Sequence, residues 1–79
     1  MLTRENYLVF PEGEVQEIGR GLPFDALVDL NGRPLSPPLP TMRMIAYRVV
    51  KIRREEGKGL ERSWHYLELV PASELSAYL

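Results

Sequence analysis

The sequence has no cysteine. That absence excludes a disulfide framework, a Cys-x-x-Cys metal or redox site and a thiol nucleophile, and it fits a reducing compartment. Long apolar runs are missing too. The longest, residues 44–50, is cut by Arg48 and falls far short of the ~20 residues that cross a bilayer. Arg4 and Glu5 stand where a signal peptide needs an apolar run. The chain is therefore expected in the cytoplasm, with no membrane partner. No GxSxG elbow, GxxxxGK[ST] loop or GxGxxG turn is present, and Gly57-Lys58-Gly59 is too short to cradle a phosphate as those loops do. The expectation is a protein that is not an enzyme, with no catalytic residue, no metal site and no cofactor.

What is present is 79 residues with ten basic and eleven acidic groups and a 44% hydrophobic content. That composition suits one small globular domain spanning the whole chain. A chain this size buries only about 60–65% of its unfolded surface, so its core is small. The net charge of −1 conceals an uneven distribution. Residues 1–40 carry a net −3, residues 41–66 a net +4 and the tail −2. The basic middle is either a polyanion contact or a self-compensated charged hairpin, since Glu55, Glu56 and Glu61 lie among its cations.

Six of the seven prolines fall before residue 41 and exclude a long helix there. Residues 7–10, Tyr-Leu-Val-Phe, read as a short strand ended by Pro11-Glu12-Gly13. Residues 14–18 lean towards an irregular strand. Asn31-Gly32, between Leu27-Val28-Asp29-Leu30 and Arg33-Pro34-Leu35, predicts a type I′ hairpin turn, because both central residues tolerate positive φ. Residues 36–40, Ser-Pro-Pro-Leu-Pro, predict an extended polyproline-like connection. The spacing Pro34-x-x-Pro37 also matches a ligand for a polyproline-reading groove, but a stiff linker is the simpler reading.

Residues 42–70 predict two long strands joined at Glu55-Glu56-Gly57-Lys58-Gly59. Pro71, with Leu75, Tyr78 and Leu79 at helical spacing, predicts a short C-terminal helix over residues 71–79. The fold expected is all-β: a small, strongly bent antiparallel sheet or partly open SH3-like or OB-like barrel with that helix at one end.

His65 is the only histidine, and with Glu61 alone on its strand face it makes no metal site, so it is expected to be structural or at the surface. Asp25 and Asp29 are expected on one face of the first hairpin strand, lining a solvent-exposed edge. The first long strand is apolar on both parities. Met42, Met44, Ala46, Val50 and Ile52 suit a core face, interrupted by Arg48. The alternate set, Arg43, Ile45, Tyr47, Val49, Lys51 and Arg53, is apolar in its middle and charged at its ends. Either the strand bulges and switches faces, or this set faces outward and meets a partner.

The functional expectation is the second: a non-catalytic interaction module that binds another protein or a second copy of itself through Arg43, Ile45, Tyr47, Val49, Lys51 and Arg53. The runner-up is single-stranded RNA or DNA binding by Arg54, Lys58, Arg62, Trp64 and Tyr66 on the same hairpin, although a pI near 5.8 is low for that class. A small-molecule-sensing regulatory barrel is the weakest reading.

Overall fold

A computed structural model describes residues 2–79. Its strands are β1 (Thr3–Val9), β2 (Val15–Ile18), β3 (Leu27–Asp29), β4 (Pro34–Leu35), β5 (Ala46–Gly57) and β6 (Leu60–Leu69). A helical turn, α1 (Ala72–Leu75), runs into a 3-10 turn at Ser76–Tyr78. The strands form one sheet in the order β2-β1-β6-β5-β3-β4, curled through 236° into a half-barrel. The sheet is mixed rather than purely antiparallel, because β1 pairs with β6 in parallel. The chain is all-β with a short C-terminal helix.

The long hairpin is real but begins at Ala46 rather than Met42, and its tip is tighter than the expected five-residue loop. Gly57 pairs with Leu60, so only Lys58 and Gly59 turn the chain, with Gly59 at φ +70°. The Asn31-Gly32 turn also differs from expectation. Only Gly32 takes positive φ, at +80°. The loop holds three residues, with Gly32 N–H donating to the Asp29 carbonyl and Asp29 N–H to the Arg33 carbonyl. That is the other common hairpin solution, an ordinary turn followed by one left-handed glycine. The Asp29 carboxylate explains the choice, accepting from the backbone N–H of Asn31 at 2.8 Å and of Arg33 at 2.9 Å. Asp25 does not share a strand face with Asp29, since it sits in the turn before β3 at φ +67°.

A bulge at Val50 decides which side of β5 points inward. The β5–β6 register slips between Val49 and Lys51. Before the slip the odd residues Tyr47 and Val49 face the inside of the curl, packed with Leu8, Phe10, Val28 and Leu67. The Phe10 and Tyr47 rings meet edge to face at 5.1 Å. Beyond the slip the even residue Ile52 joins that core. Tyr47 is only 7% exposed and Val49 fully buried, so the expected outward strip through Ile45, Tyr47 and Val49 is corrected: two of its three apolar members are core.

A second core forms on the opposite face from Leu27, Leu39, Ala46, Val70 and Leu75. The proline-rich connection supplies Leu39 to it, and Leu39 N–H donates to the Tyr78 carbonyl. That connection bends, with a cis Pro37–Pro38 bond, instead of running as one extended rod. Leu75 is buried and Tyr78 half-buried as the helical spacing suggests, but Leu79 is exposed. Arg48 fastens this layer. Its guanidinium bonds Glu68 on β6, Glu74 on α1 at 3.1 Å and the Tyr78 hydroxyl at 3.4 Å. Those partners raise its pKa further above its ordinary value, the Glu68 hydrogen bond contributing most.

Candidate interaction surfaces

On the convex face, register sets the side chains of β1, β6 and β5 in rows. Val9, Tyr66 and Lys51 form one row, Tyr7, Trp64 and Arg53 the next, and Glu5, Arg62 and Glu55 the third. Period-two alternation puts all nine on one side of the sheet. Tyr7 and Trp64 stack at 4.5 Å, and the Lys51 ammonium lies 5.5 Å over the Tyr66 ring. All three aromatics are half-buried, and the Trp64 indole N–H is buried with no partner among the described residues. The platform is therefore held by ring packing.

Both of its arginines are matched by carboxylates. The Glu5 carboxylate accepts from Arg62 Nε at 2.9 Å and from the Tyr7 hydroxyl at 2.8 Å, and Arg53 pairs with Glu55 at 3.5 Å. The Arg62 bond, then the Tyr7 bond, holds Glu5 below the usual carboxylate range, while Glu5 pushes the Tyr7 phenol up. A depressed folded pKa gives stability that is present above the unfolded value and is lost as pH falls through the folded one. Thermal melts from about pH 5 downward should therefore show a flatter acid limb for Glu5→Gln than for the wild type. Matching limbs would show that the Glu5 contacts do not couple to folding.

The sequence-derived nucleic-acid set is split by this geometry. Arg62, Trp64 and Tyr66 share the platform, Lys58 sits at the hairpin tip, and Arg54 lies on the inner side of the sheet in register with Ser63. From the partner-binding set, Lys51 and Arg53 stand on the platform and Arg43 is exposed ahead of β5. Ile45 is also exposed, and it has neighbours that the sequence did not suggest. Asp29 pairs with Ala46 and Tyr47 with Leu69, which brings Leu30, Ile45 and Leu69 to one end of the sheet. They are 56%, 48% and 54% exposed. Leu69 shares its strand parity with the buried Leu67, yet at the rim of the curl it is left exposed.

The described residues contain no group of three metal-ligating side chains and no helix long and apolar enough to cross a membrane. A family profile described as "Uncharacterised Treponema protein" matches residues 2–78. The chain belongs to that family. No curated protein and no solved structure matches it. For this Treponema family member the surfaces themselves carry the functional reading.

Proposed function

We propose that the chain is a non-catalytic interaction module that acts in the cytoplasm and pairs with a second copy of itself through the apolar end of its sheet. The observation that carries the reading is the exposed trio Leu30, Ile45 and Leu69, brought to one end of the sheet by strand register. An apolar patch of this kind is self-complementary, and a two-fold pair buries the same surface on both copies. A domain this small has little stability to spare and gains from covering it. The paired arginines of the platform speak against a polyanion. Binding to nucleic acid draws on cations free to release counterions, whereas here Arg53 and Arg62 are already engaged by carboxylates.

Sedimentation velocity from micromolar to millimolar protein tests the proposal. The wild type should move towards a dimer as concentration rises. Ile45→Glu and Leu69→Glu should remain folded by circular dichroism and stay monomeric, because substitutions at exposed positions typically change stability by only about 0.5 kcal/mol. A wild type that stays monomeric throughout, or Glu variants that dimerise as well as it does, would overturn the reading.

A further inference from the structure

The inside of the curl changes character along its length. At one level Leu8, His65 and Ile52 lie in register and close the apolar core. One step further the row is Asn6, Ser63 and Arg54, and beyond it Arg4 and Glu61. Residues 19–23 fold over this polar stretch. Gly21 comes so close that a Cβ there would lie 3.3 Å from Asn6 Oδ1, and Leu22 N–H donates to His65 Nε2 at 3.1 Å. Between the segment and the strands lies an open cleft of about 490 Å³.

Three arginines border this cleft, Arg4, Arg20 and Arg54, against a single acidic residue, Glu61. Glu61 pairs loosely with Arg4 at 3.9 Å. Arg20 and Arg54 make no ion pair among the described residues. The cleft therefore holds a net +2 inside a chain whose net charge is −1. Like charges gathered without partners repel one another, and an anion of matching size relieves that repulsion. Guanidinium forks fit the oxygens of a phosphate, while the Asn6 amide and the buried Ser63 hydroxyl supply neutral donors and acceptors alongside them.

We infer that this cleft binds a small phosphorylated molecule, its phosphate held between Arg20 and Arg54 and its uncharged part lying over Asn6 and Ser63. The site is independent of the apolar end of the sheet. It uses the inner side of β1, β6 and β5, which the convex platform leaves untouched. A volume of about 490 Å³ suits a compact monophosphate.

Isothermal titration calorimetry of the full chain tests this with ribose 5-phosphate, inorganic phosphate and ribose as probes, together with a fluorescently labelled single-stranded oligonucleotide followed by anisotropy. Ribose 5-phosphate should bind at one site per chain and more tightly than inorganic phosphate, and ribose should not bind. Arg20→Ala and Arg54→Ala should each weaken binding about tenfold, the loss expected when one charge-assisted contact is removed. Arg43→Ala, outside the cleft, should bind like the wild type. Arg20 lies on an exposed segment, so its variant reports binding even if Arg54→Ala disturbs the hairpin. No heat from ribose 5-phosphate, equal weakening by Arg43→Ala, or binding of the oligonucleotide alone would overturn the inference. A dimer or a monomer in sedimentation bears only on the apolar end.

Discussion

His65→Ala should cost the fold about 4–5 kcal/mol at 25 °C. The ring is 1% exposed and ties three segments together. Its Nδ1 lies 2.9 Å from the Tyr7 carbonyl on β1, and its Nε2 accepts from Leu22 N–H in the covering segment. One neutral tautomer satisfies both, with the proton on Nδ1. Alanine removes both bonds, strands a backbone N–H and a carbonyl, and leaves a cavity. Each stranded group costs about 1–3 kcal/mol, and the cavity adds to that. Against a total stability of about 4–12 kcal/mol for a chain of this length, a loss near 4–5 kcal/mol is about a third of the fold's stability or more. Urea denaturation followed by Trp64 fluorescence measures it. A midpoint within error of the wild type would mean the imidazole bonds contribute nothing net.

Tyr47→Asp should be as damaging, and for a different reason. The ring packs against Phe10 in the inner core, and a carboxylate there would lose its hydration without gaining a partner. Loss of the aromatic volume alone costs about 3–5 kcal/mol. Circular dichroism should show a chain without a cooperative melt, whereas Lys51→Asp, four residues on and exposed, should still melt cooperatively. A folded Tyr47→Asp monomer would return Tyr47 to the surface and undo the two-core description.

The contrast between Ala46 and Tyr47 shows why part of this fold was legible in the sequence and part was not. Strand character, the long hairpin and the terminal helical turn follow from β-branched and aromatic content, Gly59 and Pro71, all of them local signals. The face assignment of β5 is not local. Ala46 and Tyr47 are adjacent and both buried because each serves a core on a different side of the sheet. An alternation rule that assumes one buried face reads such a strand as having a spare apolar side. The bulge at Val50 then shifts the parity again.

The candidate sites were hidden for a similar reason. The hydrogen-bond partners of His65 lie 43 and 58 residues away, so no neighbour in sequence could reveal which segments it ties. Counting charge along the chain drew attention to the basic middle, where Arg48 and Arg62 are compensated across strands and Arg53 along its own. Arg4, Arg20 and Arg54 come from three separate stretches, and only the curl of the sheet gathers them around one cleft. The apolar end was half visible: Ile45 was singled out, but Leu30 and Leu69 join it only through register.

The parallel pairing of β1 with β6 sets an order on the birth of the molecule. Of the six strands β1 is made before the others and lies between β2 and β6, and β6 is made after the other five. Until then β1 has only the four-residue β2 beside it, and a lone pair of strands is marginal in water. The inner core draws on Leu8 and Phe10 from the start of the chain and Leu67 from near its end, so no early portion can close it alone. Folding therefore begins in earnest only after β6 has emerged. Long-range pairing of this kind is the slow class among small domains. During that interval the apolar residues of β1 and β5 are exposed together in the same nascent chain, the moment at which it is most open to aggregation.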